Sequence, residues 1–178
     1  ARVLDLGCGD GTLLKLLKDT RDITGYGIEI DDAKIPLCIA NGVNVLQRDL
    51  EGGLRDFDDQ SFDCVIDIAC LQCNDESEVV PLISEVKRVL KPHGKHFSLT
   101  SAAGTWGDGM GQRVDSSTFS DIPEGPFANM GKNRFSPRQD MLRLYADFDD
   151  VELNHSIRSI GGTTREVRNW ILTCKKKA

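Results

Sequence analysis

The sequence has no apolar run near the ~20 residues that a membrane-spanning helix requires, and no signal-peptide pattern opens it. It is poor in positive charge. With a net charge of -6 and a pI of about 5.1, it lacks the basic surface that holds a phosphate backbone, and its one basic run is Lys175-Lys176-Lys177. These absences speak against a nucleic-acid or membrane partner and favour a cytoplasmic, small-molecule role. The 6 cysteines form no disulfide framework, because Cys38, Cys64 and Cys174 sit in apolar-periodic segments as small hydrophobes. Cys70-x-x-Cys73 has metal-ligand spacing, but no second pair or histidine cluster completes a tetrahedral site, so no metal is expected. A reducing compartment fits this cysteine usage.

What is present is an ordinary globular composition, 39% hydrophobic and 28% charged over 178 residues, enough for one domain with a proper core. The organising stretch is Val3-Leu4-Asp5-Leu6-Gly7-Cys8-Gly9-Asp10-Gly11. A short apolar run stops at a glycine-rich turn, and an apolar-periodic segment from Thr12 to Lys18 follows at once: a buried strand, a tight turn and a helix N-terminus. Such a turn presents free N–H groups and the positive end of a helix dipole to a polar ligand. A dinucleotide fingerprint would need G-x-G-x-x-G, but here the third glycine comes one residue early, with Thr12 in its place. Asp5, inside the strand end, suits a ligand with positive charge beside the turn.

Further strands are expected at Thr24–Ile30, Val43–Gln47, Phe62–Ile68 and Lys95–Thr100, with helices at Ala33–Ala40 and Glu76–Leu90. This alternation predicts an α/β fold with a doubly wound, mostly parallel sheet. Between Ser101 and Phe135 periodicity is lost, and a stretch of that length reads as an insert or lid. Order returns at Ser136-Pro137-Arg138-Gln139, which reads as a capping box opening a helix, and two strands, Val151–Ile157 and Val167–Thr173, close the chain. His93, in the turn Pro92-His93-Gly94, must either take a left-handed conformation or shift the turn.

Val3 to Gly11 resembles motif I of the class I S-adenosylmethionine (SAM)-dependent methyltransferases, of the methyltransferase type 11 and MetW-like kind. Gly25-Tyr26-Gly27-Ile28-Glu29-Ile30-Asp31, Cys38-Ile39-Ala40-Asn41-Gly42-Val43-Asn44-Val45 and Asp59-Gln60-Ser61-Phe62-Asp63 carry the MetW likeness, which extends to about Leu90. The resemblance implies a seven-stranded Rossmann-like sheet with an antiparallel last strand, in one domain spanning residues 1–178. Its parts would be a SAM-binding half (1–100), the insert or lid (101–135) and a C-terminal helix and strands (136–178). It also implies an upstream segment that covers the cofactor.

SAM carries an ammonium and a sulfonium, which an acidic strand end suits. The cofactor set implied is Asp5, Gly7, Cys8, Gly9, Asp10, Gly11, Glu29, Ile30, Asp49, Leu50, Asp67 and Ile68. In it Glu29 accepts the ribose hydroxyls and Asp49 the adenine amino group. Asp67, Gln72 and His155 are weak catalytic candidates, His96 weaker still. Gln72, Trp106 and Arg134 are weak substrate-binding candidates, and Phe119 and Phe127 either close over the acceptor or form a small core beneath the loop. The activity implied is methyl transfer from SAM, leaving S-adenosylhomocysteine, to a small polar acceptor such as a sugar or metabolite. A non-catalytic SAM-binding protein that assists methionine biosynthesis is the alternative. A nicotinamide dehydrogenase lacks its third glycine here, and a nucleic-acid methyltransferase lacks its catalytic loop. Monomer and homodimer both remain open.

Overall fold

The computed structural model describes residues 1–178. Its frame is β1 (Arg2–Leu6), α1 (Thr12–Arg21), β2 (Thr24–Glu29), α2 (Ile35–Ala40), β3 (Asn44–Gln47), β4 (Phe62–Ile68), α3 (Glu76–Val89) and β5 (Leu90–Ser101). After the insert come α4 (Arg138–Leu144), β9 (Phe148–Ile160) and β10 (Arg165–Lys176). The sheet order is β3-β2-β1-β4-β5-β10-β9. β1 to β5 run parallel, while β10 is antiparallel to both its neighbours, β5 and β9. The expected seven-stranded mixed sheet is the one observed.

Strand alternation divides the core between the two faces. Leu4, Leu6, Ile28, Phe62 and Val65 face α3 and α4, where Val79, Leu82, Ile83, Val86, Met141 and Tyr145 complete the larger core. Val3 and Ile66, one residue out of phase, join Leu14, Cys38 and Val43 under α1 and α2. His96 is buried against the larger core, with Nδ1 3.0 Å from the Val65 carbonyl and its ring stacked on Tyr145. Burial holds its pKa down at about 4, so it sits in the core neutral.

Two local expectations are corrected. Helix α2 begins at Ile35 and not at Ala33, because the Ala33 N–H donates to Asp31 Oδ1 in a turn that precedes the helix. The capping box at Ser136 does not form: Pro137 is the N-cap of α4 and no side chain caps it. Ser136 is used by the sheet instead, its N–H donating to the Ser101 carbonyl and its own carbonyl accepting from Ala103 N–H and the Trp170 indole. The capping box that does form is at α3, where Asp75 accepts from backbone N–H and Glu78 reaches back to the Asp75 N–H at 2.8 Å.

His93 takes the left-handed alternative, with φ 62°. An L-residue there costs about 1–2 kcal/mol, and glycine recovers part of that at its own entropic cost. His93→Gly is therefore expected to raise stability by about 0.5–1 kcal/mol in urea denaturation.

The insert carries its own structure: β6 (Gln112–Arg113), β7 (Thr118–Ser120) and β8 (Asn133–Arg134) form a small antiparallel sheet. Phe119, Ile122, Phe127 and Phe135 pack as a satellite core beneath it. Its two basic residues in β8's vicinity bolt it to the first turn of α3. Lys132 Nζ contacts Glu78 at 2.6 Å and Asp75 at 3.0 Å. The Arg134 guanidinium, 1% exposed, is shared among Glu76, Asp115 and Asp140.

Candidate functional site

The parallel strands end along one edge, and a cleft of about 490 Å³ opens there, as expected outside the carboxyl ends of a wound sheet. Its floor begins with Gly7, at φ 69°. A Cβ at Gly7 would lie 2.8 Å from Cys70 Sγ, so only glycine lets the β1 turn and the loop after β4 meet. Gly9, at φ 59°, would place a Cβ in open space, which leaves the turn accessible to a ligand.

Glu29, at the end of β2, has its carboxylate buried among three backbone donors. Oε2 accepts from Gly9 N–H at 2.8 Å, and Oε1 from the N–H groups of Ile30 and Asp31, each at 2.9 Å. A carboxylate has about four lone-pair positions, so Oε2 keeps one for an incoming hydroxyl. Asp49 Oδ1 caps the short turn at Leu50–Gly52 by accepting from Glu51 N–H at 3.0 Å, which leaves Oδ2 without a partner in the chain. Ile30 and Ile68, both exposed, and Leu50 supply apolar wall between these acids.

Beneath the floor lie two further carboxylates. Asp5 is buried, and burial, then Asp67, then Glu29, raise its pKa to about 7. Asp67 is wholly buried; it accepts from Ser98 Oγ at 2.6 Å and from the N–H groups of Cys70 and Leu71 at 3.0 and 2.9 Å. Its pKa is raised to about 6, burial outweighing those bonds. Three acids thus converge at the ends of β1, β2 and β4, a negative well suited to a cationic ligand.

Of the residues singled out in the sequence, Gly7, Glu29, Ile30, Asp49, Leu50 and Ile68 line this cleft. The others stand behind it or away from it. Cys8 turns its thiol into the α1–α2 core, 3.8 Å from Cys38 Sγ, and Asp10 Oδ1 accepts from Thr12 N–H at the start of α1. Gly11, at φ 79°, packs on Cys38 and Val43.

Asp67 and Gln72 are structural ties and do not face the cleft. Gln72 Oε1 accepts from both the N–H and the hydroxyl of Ser101, at 2.8 and 2.9 Å, which locks the loop after β4 to the end of β5. His155 lies on β9 against the Trp170 ring, at the far edge of the sheet. Trp106 is held over Gly125, with Arg165 on its ring and its indole N–H donating to Glu124 at 3.0 Å. Arg134 is buried in its carboxylate cluster. None of these side chains lines the cleft.

Ile28 lines the cleft beside Glu29, and Cys70 and Cys73, noted in the sequence for their metal-ligand spacing, line it with Ala69; Lys34, Arg48, Glu51, Asn74, Glu78 and Lys132 complete the lining with no site motif to mark them. Lys132 is the one contribution of the insert, and its signal exists only in the tertiary contact with Glu78. Ala69 stands at φ 61° where β4 enters the site, a conformation uncommon outside glycine and one that clusters at functional sites.

The comparisons with known proteins agree with this geometry. The family model for methionine biosynthesis protein MetW matches residues 1–92. The bifunctional methionine biosynthesis protein MetXA/MetW of Rhodopirellula baltica is 36% identical over 102 residues, which is 53% of this chain and 15% of that one. The chain thus spans a small part of that relative's length. Among solved structures, a SAM-dependent methyltransferase of Methanosarcina mazei superposes with a TM-score of 0.77 over 99% of this chain and 92% of its own, at 18% identity. The 1,6-didemethyltoxoflavin-N1-methyltransferase of Burkholderia thailandensis, solved with bound 1,6-didemethyltoxoflavin and S-adenosylhomocysteine, does so at 0.68 over 100% and 72%, at 16% identity. A model matched over half of the sequence and a sheet shared with SAM-dependent enzymes lead to one conclusion: the chain belongs to the MetW family, within the class I SAM-dependent methyltransferase fold.

Proposed function

We propose that the chain is a SAM-dependent methyltransferase acting on a small polar molecule, with residues 1–178 forming one domain. The observation that carries this is the convergence of Asp5, Glu29 and Asp67 around a glycine turn open to a ligand. The cofactor set is the one expected from the sequence. Gly7, Glu29, Ile30, Asp49, Leu50 and Ile68 line the cleft; Asp5 and Asp67 set its charge from below; Cys8, Gly9, Asp10 and Gly11 shape the turn.

When bound, SAM supplies a methyl group made electrophilic by its sulfonium. The protein's share is alignment and charge. Glu29 offers its free lone pair to a ribose hydroxyl, and Asp49 offers Oδ2 to an amino group. Ile68, Ala69 and Cys70 border the end where an acceptor enters, and Glu78 with Lys132 bounds its far side. Holding donor and acceptor in line accounts for most of what such a transfer asks of a protein.

A second reading, a SAM-binding protein that assists methionine biosynthesis without transferring the methyl, draws support from two observations. The matched family is named for that pathway, and Asp67, Gln72 and His155 all lie outside the cleft, so none serves there as a base. No helix is long and apolar enough to cross a membrane, in keeping with the small-molecule reading.

Titrating SAM and S-adenosylhomocysteine calorimetrically, with NAD as control and Asp5→Ala alongside, tests the proposal. The sign of its pH dependence follows from Asp5. Near pH 7 the free protein holds a proton on Asp5 about half the time, given a pKa of about 7. A cationic ligand favours the ionised form, so binding expels that proton. As the pH falls from about 7 to about 6, the ionised fraction of Asp5 falls about fivefold and affinity should drop by up to about as much, with proton release visible as a buffer-dependent binding heat. In Asp5→Ala the pH dependence and the proton release should shrink to the part that Asp67, with its pKa raised to about 6, contributes, and affinity should be weaker throughout. Absence of binding by the folded protein, or NAD binding in place of SAM, overturns the cofactor assignment. Turnover on an acceptor panel separates the two readings.

A further inference from the structure

We infer that the free edge strand β9 is a self-pairing surface: two copies of this chain join antiparallel through Glu152–Arg158, about a two-fold axis at His155, so that their sheets become continuous. β9 ends the seven-stranded sheet, and residues Asn154–Ser159 are all exposed. The direction of its backbone groups follows from β10. The carbonyls of Glu166 and Arg168 accept from Trp106 and Ala102 N–H, on the side away from β9. Their odd-numbered neighbours Val167, Asn169 and Ile171 therefore face β9, where they pair with Arg158, Ser156 and Asn154. Strand alternation then turns the N–H and C=O groups of Leu153, His155, Ile157 and Ser159 outward, with nothing in the chain to satisfy them.

Two features frame this unpaired ladder. A bulge interrupts the β9–β10 register opposite Thr173–Lys175, where Asp150 stands at φ 50°, and the Gly161-Gly162 turn follows at the other end. Between them β9 keeps its register with β10 from Glu152 to Ile160, and within that stretch Glu152–Arg158 is centred on His155.

A two-fold there pairs each residue with the one that completes the sum of twice 155. Glu152 then faces the Arg158 of the second copy, and Leu153 faces Ile157, each pair twice by symmetry. Glu152 and Arg158 have no ion-pair partner within the chain, although Arg165 and Arg168 nearby each have one. Ile157 is 50% exposed and Leu153 half-buried, so the apolar pair would extend the existing face. Moving the axis one residue either way breaks both pairings. Natural edges are shielded by proline, lysine or bulges, and Glu152–Arg158 has none of them, the bulge lying just before it at Asp150–Val151.

The experiment is sedimentation velocity over about three decades of concentration, on the chain and on variants whose fold is checked by circular dichroism. The chain should pass from monomer to dimer as concentration rises. Ile157→Pro removes one outward N–H without touching the β10 ladder and should abolish the dimer. Glu152→Arg and Arg158→Glu each turn two opposite-charge pairs into like-charge pairs and should weaken dimerisation about tenfold. The double variant restores complementarity and should return to the parent's behaviour. A chain monomeric at every concentration, or a dimer indifferent to Ile157→Pro, overturns the proposal. A double variant as weak as the single ones overturns the axis at His155 and the proposal with it.

Discussion

Arg134→Met is expected to destabilise the chain by about 3–5 kcal/mol, the cost of removing one partner from a buried ionic cluster. For a chain of this size that lowers the melting temperature by about 10 °C in a scanning fluorimetry or calorimetric trace. The guanidinium lies within 2.9 Å of Asp140 and 3.3 Å of Asp115 and also pairs with Glu76, with its side chain 2% exposed. Methionine fills much of its volume but leaves Asp115 without a cation and Glu76 and Asp140 with the half-exposed Arg143 alone. Arg134→Lys should recover only part of the loss, since an ammonium cannot present a planar fork to three acids at once. Lys132→Met is the contrast. That side chain is 32% exposed, so its pairs with Asp75 and Glu78 are screened, and its loss should cost about 1 kcal/mol or less. Equal effects for the two residues would show that the Arg134 cluster is not the anchor of the insert.

Glu29→Ala is expected to weaken SAM and S-adenosylhomocysteine binding by about 100-fold, the scale of losing one or two hydrogen bonds to a charged group. The variant removes both the lone pair offered to the ligand and the acceptor that holds Gly9, Ile30 and Asp31 in place. Glu29→Gln should fall between, because an amide keeps one acceptor oxygen but turns an NH₂ group toward a backbone donor. Calorimetric titration reads the affinity, and urea denaturation separates it from a fold defect. Unchanged affinity in Glu29→Ala would remove this residue from the ligand site.

The expectations most closely matched are those that rest on local pattern. Val3–Gly11 reads as strand, turn and helix because side-chain period, glycine and helix onset all lie within about one turn of one another, and the structure has β1, the turn and α1 there. The acids at strand ends were equally legible, since a strand's end fixes where its next side chain stands. Capping was less so. Ser136 and Asp75 both open helices with the same four-residue signal, yet only Asp75 caps, because Ser136 is claimed by Ser101 and Trp170 from other strands. Gln72 looked like a lining residue until Ser101, 29 positions on, took its oxygen.

By itself, the sequence determined the alternation that winds the sheet, the glycine turn, and the acidic residues that end β1 and β2 beside it. Each depends on residues close in the chain, where geometry follows from spacing. Only the tertiary structure decided that Asp67 is spent on Ser98, that Lys132 reaches the cleft and Arg134 does not, and that β9 leaves a backbone edge free. Those outcomes depend on which of several polar partners a buried group meets across tens of residues. Burial makes an unpaired group costly, and packing, not sequence distance, selects the partner that satisfies it.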